Sequence, residues 1–471
     1  MTKARIGVYG LGTMGSALAL NMAENGFSVA VTNRNTDWVE PFLKEAEGLK
    51  GDVTGHMSLE AFVEGLETPR TILFMIPSGA PLDSMIEKVS PLLEKGDRII
   101  DGGNADFNET RRRQAELEAK GFVFIGMGVS GGEEGARFGP SIMVGGEKDS
   151  FEGIRDIIEA IAAKYEGSPC ADRLGPDGAG HFVKTVHNGI EYADMQMIAE
   201  VWGILRNAKG WSPKDAGALF TRWNEGKLQS YLIEITGKAL AAVDPETGNP
   251  MIDMIVDRAG QKGTGRWTVI EALKLGQSAS AIEAAVGGRS WSADRELRAA
   301  GEAAITVADG EGEVLEEEVL ERALLTAKIT AYAQGLALLE AASGEFDWDL
   351  DLARVAEVWR AGCIIRSALL DDISEAVRKG LPHGNLILAP AFLEIVKDGL
   401  PALRRVVASC AMRGLPVPAM SASLAYIETL RRARGTTDLI QAQRDFFGAH
   451  GFERRDAEGK DHHGPWAMSA S

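Results

Sequence analysis

The chain is poor in cysteine, lacks long apolar runs and carries no excess of positive charge. Its three cysteines, Cys170, Cys363 and Cys410, are odd in number and far apart, so they predict buried thiols rather than a disulfide framework or a metal site. This pattern fits a reducing compartment, and we expect a cytoplasmic protein. No run of about 18 uninterrupted apolar residues occurs, so no membrane span is predicted.

The formal net charge of −18 disfavours a broad nucleic-acid surface, because phosphates would be repelled. An acidic chain binds anionic small molecules only through local basic pockets. With 471 residues the chain is also too long for one hydrophobic core, so two or three domains are expected.

Short apolar runs alternate with helical patterns in the first part of the chain, as in βαβ units. The pattern predicts a largely parallel sheet with helices on both faces. The candidate strands are Arg5–Tyr9, Ser28–Thr32, Thr71–Ile76, Arg98–Asp101 and Phe122–Met127.

From about Phe182 to Arg444 the chain is rich in Ala, Leu, Glu and Arg, which predicts a large all-helical domain. The stretch from about Gly451 is polar and has little apolar periodicity, so we expect a frayed tail or a segment that packs on another surface. The predicted division is an α/β Rossmann-like dinucleotide-binding domain at 1–177, an all-α domain at 178–443 and an irregular tail at 444–471.

A complete G-x-G-x-x-G motif, made of Gly10, Leu11, Gly12, Thr13, Met14 and Gly15, follows the first candidate strand and opens a candidate helix. Alone it is a weak signal in a chain with 55 glycines. In this context the glycines permit a tight turn and let a pyrophosphate approach the helix N-terminus. The motif therefore predicts a dinucleotide site.

The end of the second candidate strand indicates which dinucleotide binds. A carboxylate there would accept a hydrogen bond from the ribose 2′-hydroxyl of NAD, whereas this chain has Asn33, Arg34 and Asn35. Arg34 can pair with a 2′-phosphate, which favours NADP. The alternative is that Arg34 is a solvated loop residue.

Five polar residues recur at helical spacing just after the expected domain junction: Lys184, His187, Asn188, Glu191 and Tyr192. Their offsets place them on one face of a helix. The alternative is a solvated face, but such faces favour Glu and Lys pairs. This face instead combines a candidate base, Lys184, with a candidate acid, Glu191.

Two glycine-rich loops suit anions. Ser130, Gly131 and Gly132 follow a candidate strand and expose backbone N–H groups beside a hydroxyl. The second loop, residues 260–265, adds Lys262 and Thr264 as donors and lacks the spacing of a Walker A motif. Either loop alone is also compatible with a plain flexible turn. Two such loops suggest a substrate with two anionic ends.

The chain resembles the decarboxylating 6-phosphogluconate dehydrogenase family over nearly its whole length. The most specific stretches are Ile100-Asp-Gly-Gly-Asn104, Gly128-Val-Ser-Gly-Gly-Glu-Glu-Gly-Ala136, residues 180–192, residues 260–267, Cys363-Ile-Ile-Arg-Ser367 and Arg444-Asp-Phe-Phe-Gly-Ala-His450. The resemblance implies oxidation of 6-phosphogluconate at C3 with NADP, loss of CO2, and no metal.

The resemblance also implies a role for each matching residue. Lys184 is the base for the 3-hydroxyl, and Glu191 is the acid that protonates C1. Residues around the carboxylate and hydroxyls are Asn104, Ser130, Gly131, Gly132, His187 and Asn188, with Asn104 also beside the cofactor. Residues that hold the 6-phosphate are Tyr192, Lys262, Thr264 and Arg289. Arg444 and His450 match residues that family members insert from the tail of a partner, which implies a homodimer with tail exchange.

Two other functions remain open from the sequence. A β-hydroxyacid dehydrogenase of the 3-hydroxyisobutyrate type shares the glycine-rich turn, the Ser-Gly-Gly loop and the Lys-x-x-x-Asn spacing. It has no need of Glu191, the Lys262 loop or the segment with Arg444. A non-catalytic NADP-binding sensor would have no use for both Lys184 and Glu191.

Overall fold

Ten β-strands are present in the computed structural model, which describes residues 3–466. They are β1 Ile6–Tyr9, β2 Val29–Thr32, β3 Val53–Gly55, β4 Thr71–Phe74, β5 Arg98–Asp101, β6 Val123–Ser130, β7 Ser141–Gly145, β8 Lys164–Tyr165, β9 Ser168–Pro169 and β10 Ala171–Gly175. All five candidate strands occur, with bounds that differ by a few residues at most. Five strands were not predicted: β3, β7, β8, β9 and β10.

Eight of these strands form one sheet in the order β10-β7-β6-β5-β4-β1-β2-β3. Neighbouring strands are parallel except β6 and β7, which pair antiparallel with Met127 opposite Val144 and Ser130 opposite Ser141. The predicted largely parallel sheet is confirmed. Because β1, β2, β4 and β5 are parallel, the segments that follow them emerge at one edge, where open α/β sheets bind ligands.

The chain contains twenty-one α-helices within residues 3–466. They are α1 Thr13–Glu24, α2 Val39–Glu45, α3 Leu59–Glu64, α4 Ala80–Val89, α5 Phe107–Glu118, α6 Gly132–Phe138, α7 Lys148–Glu152, α8 Arg155–Ile161, α9 Ala179–Asn207, α10 Pro213–Trp223, α11 Tyr231–Ala241, α12 Met251–Met254, α13 Thr264–Lys274, α14 Ser280–Ala293, α15 Arg295–Ala304, α16 Glu317–Glu345, α17 Leu352–Val358, α18 Leu369–Arg378, α19 Pro390–Met412, α20 Pro418–Leu430 and α21 Thr437–Gly448. Short 3-10 turns occur at Thr36–Trp38, Ser90–Leu92, Pro382–Gly384 and Leu386–Leu388.

Helices cover both faces of the sheet, as predicted. Alternate residues of a strand point to opposite faces. Leu73 accordingly belongs to a buried cluster that includes residues of α1 and α8, whereas Ile72 and Phe74 belong to a second cluster with residues of α3 and α4. Two apolar layers therefore hold the sheet between them.

The 29-residue helix α9 joins the sheet to the helical part of the chain. It begins close against β7, since a Cβ on Gly180 would lie 2.6 Å from the carbonyl oxygen of Met143. Further along, α9 packs against α13, α14 and the equally long α16. A buried ion pair fixes α9 to α16, with Lys328 Nζ 2.7 Å from Asp194 Oδ1.

The chain divides into two compact units, the first reaching Ser423 and the second beginning at Leu424. In the second unit, Asp445 of α21 organises the described part of the tail. Its carboxylate accepts hydrogen bonds from the backbone N–H groups of Gly451 and Gly464 and from the indole of Trp466, at 2.9 to 3.0 Å. The predicted boundaries at 177 and 443 stay predictions.

Two sequence-based expectations can be compared with the described residues. All three cysteines are buried and unbridged, as predicted. Within residues 3–466, none of the helices combines the length and apolar character that crossing a membrane requires.

Candidate active site

The glycine-rich turn after β1 is shaped by steric contact. Gly10 has a φ of +109°, and a Cβ there would lie 2.6 Å from the carbonyl oxygen of Met75. A Cβ on Gly15 would overlap the carbonyl oxygen of Gly10. Gly12 faces open space and is the N-cap of α1, whose first turn receives no side-chain cap. The turn therefore leaves N–H donors exposed at a helix N-terminus, as a pyrophosphate requires.

The end of β2 lies beside this turn. Asn33 Oδ1 accepts a hydrogen bond from the N–H of Leu11 at 3.1 Å, and Asn33 Nδ2 donates to the carbonyl of Asn35. Arg34 is exposed and forms no ion pair within residues 3–466. A free guanidinium beside the turn fits the additional phosphate of NADP. Thr13, which is exposed, and Met14, which is half-buried, begin α1.

Two residues that follow β4 were not predicted to belong to the site. Met75 and Ile76 lie between the Gly10 turn and the loop after β5: a Cβ on Gly103 would lie 3.0 Å from the carbonyl oxygen of Ile76. That loop carries Asn104, which is exposed at the same edge of the sheet. The signal was available, because β4 is the parallel neighbour of β1 and its carboxyl end must emerge beside the glycine turn.

The predicted polar face of α9 is buried rather than solvated. Lys184 is 6% exposed, His187 is fully buried, and Asn188 and Tyr192 are also buried. The Glu191 side chain is 20% exposed. This burial rejects the alternative of a solvated surface face. Buried polar groups also require hydrogen-bond partners.

Those partners form one connected network. Lys184 Nζ donates to Asn188 Oδ1 at 2.8 Å, and His187 Nδ1 lies 3.0 Å from the same oxygen. Because a carbonyl oxygen only accepts, this contact assigns the imidazole proton to Nδ1. His187 Nε2 is then free to accept the hydroxyl proton of Ser130, 3.2 Å away on β6.

Burial moves the pKa values of the two candidate proton carriers in opposite directions. It lowers the pKa of Lys184 to about 8, although the Glu191 charge opposes this. It raises the pKa of Glu191 above its usual value, against the positive charges of Lys184, Arg289 and Lys262. The pKa of His187 falls well below its ordinary value, chiefly through burial, so the ring is neutral. Burial thus favours the neutral amine of Lys184 and the neutral carboxyl of Glu191.

Close approach of β6 fixes the lysine. A Cβ on Gly128 would collide with the Cβ of Lys184, so the lysine stem occupies the space that a side chain at 128 would fill. Gly131 and Gly132 follow β6 with φ of +128° and +64°. A Cβ on Gly131 would lie 2.5 Å from the carbonyl oxygen of Gly362.

Basic and hydroxyl groups gather at the other end of the polar face. The Arg289 guanidinium lies 3.4 Å from the centre of the Tyr192 ring and donates to the carbonyl of Gly260. Thr264 is the first residue of α13 and lies 3.0 Å from Asn188 Nδ2. Lys262 in the same loop is exposed. The second predicted anion loop therefore lies next to the polar face.

The aromatic support of His187 was also missed. Trp359 is fully buried, and its ring centre lies 5.6 Å from that of His187 in an edge-to-face arrangement. Residue spacing gives no signal for a contact between positions so far apart in sequence.

Arg444 and His450 lie in the second unit. Arg444 is exposed on α21, and its Nη1 donates to Gln441 Oε1 at 3.3 Å. His450 is exposed, with its ring 5.9 Å from that of Phe447. Their predicted role stays a prediction. Within residues 3–466, no group of three or more His, Cys, Asp or Glu side chains is arranged to hold a metal ion.

A dinucleotide turn with a free arginine, together with a buried lysine and a carboxyl whose pKa burial raises, defines a nicotinamide-nucleotide-dependent dehydrogenase. Two family models cover most of the chain: the NAD binding domain of 6-phosphogluconate dehydrogenase at residues 5–171, and the 6-phosphogluconate dehydrogenase C-terminal domain at residues 180–466. The chain belongs to the 6-phosphogluconate dehydrogenase family.

Individual relatives match over nearly the full length. The NADP(+)-dependent, decarboxylating 6-phosphogluconate dehydrogenase of Bacillus subtilis is 47% identical over 468 residues, which is 98% of this chain and 99% of that protein. The decarboxylating enzyme of Escherichia coli is 46% identical over 466 residues, again 98% and 99%. The structure of Plasmodium falciparum 6-phosphogluconate dehydrogenase, solved as apo protein and with NADP+ or 6-phosphogluconate, matches with a TM-score of 0.94 and 39% identity, covering 98% of this chain and all of that one.

Proposed function

We propose that this protein oxidises and decarboxylates 6-phosphogluconate, giving ribulose 5-phosphate, CO2 and NADPH. The observation that carries the proposal is the Lys184–Glu191 pair on one buried helix face, with pKa values shifted in opposite directions. The names of relatives in Bacillus subtilis and Escherichia coli support the same reaction.

NADP is held by Gly10, Leu11, Gly12, Thr13, Met14 and Gly15 at the pyrophosphate, by Asn33, Arg34 and Asn35 at the 2′-phosphate, and by Asn104. When bound, NADP accepts the hydride from C3. The free guanidinium of Arg34 supports NADP over NAD, because it matches the extra phosphate.

Lys184 acts first as a base. Its lowered pKa supplies neutral amine near neutral pH, and this amine takes the proton of the 3-hydroxyl while C3 loses hydride. The resulting ammonium then donates a hydrogen bond to the C3 carbonyl oxygen. Electrons of the C1–C2 bond flow toward that oxygen as CO2 leaves, and the oxygen takes the lysine proton, giving an enediol.

Glu191 acts last as an acid. Burial raises its pKa, which favours the protonated form. This proton goes to the carbon that lost CO2, which becomes C1 of ribulose 5-phosphate. The hydroxyl on the former C3 meanwhile returns its proton to the neutral amine of Lys184 and becomes the ketone. His187 is neutral and positions substrate hydroxyls as a hydrogen-bond partner rather than as a charge.

The remaining residues divide between the two ends of the substrate. Asn104, Ser130, Gly131, Gly132, His187 and Asn188 hold the carboxylate and hydroxyls. Tyr192, Lys262, Thr264 and Arg289 hold the 6-phosphate. In a homodimer, Arg444 and His450 of a second copy complete the phosphate end, which is the role of the 444–471 segment. We place the protein in the cytoplasm.

One assay tests this function. The protein is incubated with 6-phosphogluconate and NADP, and NADPH and CO2 are followed together. Equal release of both is the expected result. NADPH without CO2 from a non-phosphorylated hydroxy acid would instead identify a β-hydroxyacid dehydrogenase, and NADP binding without either product would identify a sensor.

A further inference from the structure

One segment, residues 359–368, contributes to two separate places. Trp359 packs on His187, and the carbonyl of Gly362 abuts Gly131, so one part of the segment supports the active site. Arg366 and Ser367 lie instead against a cavity of about 350 Å³, bordered by residues between α10 and α11. None of the proposed substrate or cofactor residues lines this cavity.

The cavity wall carries a guanidinium without a carboxylate partner. Arg366 stacks on the Tyr231 ring at 3.7 Å, and its Nη1 donates to the carbonyl of Cys363 at 2.7 Å. Among residues 3–466 no carboxylate pairs with it, and its Nε and Nη2 atoms donate no hydrogen bond to the described chain. Stacking and one backbone bond hold the plane in place, which is the arrangement in which arginine best binds oxyanions.

Two further side chains of the wall offer hydrogen-bond donors, Asn224 and Arg360. Asn224 Oδ1 accepts from the N–H of Ser230 at 2.9 Å, which orients the amide and leaves Nδ2 without a protein partner in the described chain. Arg360 supplies a second positive charge, with its Nη1 3.0 Å from Asp371 Oδ1. The one carboxylate of the lining, Glu234, is engaged by Lys238 Nζ at 2.5 Å.

We propose that this cavity is a second anion site, which binds a small phosphate ester or free phosphate independently of the substrate and the cofactor. Two phosphate oxygens accept from Nε and Nη2 of Arg366, and a third accepts from Nδ2 of Asn224. The unpaired Arg366 gives this wall a local positive charge in a chain whose net charge is −18. The anion would bind the segment that also supports His187 and Gly131.

Arginine modification followed by peptide mapping tests the site directly. The native protein, without substrate, reacts with phenylglyoxal in the absence and presence of inorganic phosphate, and the rate at Arg366 is measured. We expect phosphate to slow the reaction at Arg366 at least about threefold, because a bidentate anion covers the reactive edge. An unchanged rate at Arg366 would overturn the proposal.

A charge variant separates specific binding from ionic strength. Asn224→Asp keeps the acceptor for Ser230 and adds a negative charge to the wall, so phosphate protection of Arg366 is expected to disappear. Asn249→Asp adds the same charge at an exposed position outside the cavity and is expected to retain protection. Equal protection in both variants would contradict the site.

Two further measurements make the result interpretable. Dehydrogenase turnover of Asn224→Asp should equal that of the native protein, which shows that the variant folds. Glycerol 3-phosphate replaces phosphate in a parallel arm: stronger protection identifies a phosphate ester as the ligand, and weaker protection identifies the free anion. Because protection is measured without turnover, its failure is distinct from failure of the proposed reaction.

Discussion

Asn188 Nδ2 lies 3.0 Å from Thr264 Oγ1, and this hydrogen bond joins α9 to the first residue of α13. The other end of the same amide accepts from Lys184 Nζ at 2.8 Å. One side chain therefore links the candidate base to the loop that would hold the substrate phosphate. Displacing that loop is expected to disturb the lysine as well.

Replacement of Thr264 by valine tests this link. The variant keeps the side-chain shape but loses the hydroxyl that would donate to the 6-phosphate. A hydrogen bond to a charged group contributes roughly 1.5–3 kcal/mol, so KM for 6-phosphogluconate should rise about tenfold or more. Steady-state kinetics give both constants. Thr236→Val on α11 is the matched control and should leave KM unchanged, since among residues 3–466 its hydroxyl bonds only to the carbonyl of Leu232. An unaltered KM for Thr264→Val would remove the residue from the site.

The base role of Lys184 predicts the pH dependence of kcat/KM. With the pKa lowered to about 8, the lysine is protonated and inactive below that pH, so kcat/KM should rise with pH and level off above about 8. At two pH units below the pKa the loss is about a hundredfold. Glu191 acts after CO2 has left, so its ionisation does not enter this constant. A flat profile between pH 6 and 9 would contradict the assignment.

Glu191→Gln separates the last step from the earlier ones. The amide has the same shape but no acidic proton, so binding of 6-phosphogluconate should persist while kcat falls by about 10²–10⁴-fold. Stopped-flow absorbance should show one rapid equivalent of NADPH per site, followed by slow turnover. If turnover equals that of the native protein, Glu191 is not the acid.

The buried pair Asp194–Lys328 predicts a large effect on stability. Lys328→Met leaves the Asp194 carboxylate buried without its partner, which costs about 3–5 kcal/mol of unfolding free energy. The double variant Asp194→Leu, Lys328→Met should recover most of this loss. Urea unfolding measures both. Breaking the exposed pair Glu234–Lys238 serves as the control and should leave the urea midpoint almost unchanged, because solvent screens exposed ion pairs.

Local patterns predicted much of the fold. Strands flanked by turns, the glycine motif and the helical spacing from Lys184 to Tyr192 depend on neighbours within a few residues, and the structure contains each of them. Strands β3, β7, β8, β9 and β10 were not predicted, because each spans only two to five residues and periodicity is then too brief to detect.

Long-range contacts explain what the sequence could not provide. The polar face of α9 is buried by segments distant in sequence, since β6, Thr264 of α13 and Trp359 all contact it. Periodicity alone does not distinguish such a face from a solvated one. The contacts of Met75 with Gly10 and of Trp359 with His187 also join segments that are distant in sequence. The depressed pKa of Lys184 likewise arises from burial by those elements and not from its neighbours along the helix.

The missing side chain at Gly128 has a consequence for redesign. Because the stem of Lys184 occupies that space, even a methyl group at 128 would push the amine away from where hydride leaves the substrate. A substitution on β6 at this position therefore also displaces the facing residue of α9, and the two elements cannot be changed independently. Redesign of this enzyme for a different hydroxy acid should therefore keep β6 and α9 unchanged. The 260–265 loop is the better place for substitutions, because side-chain length and charge can change there without shifting Lys184.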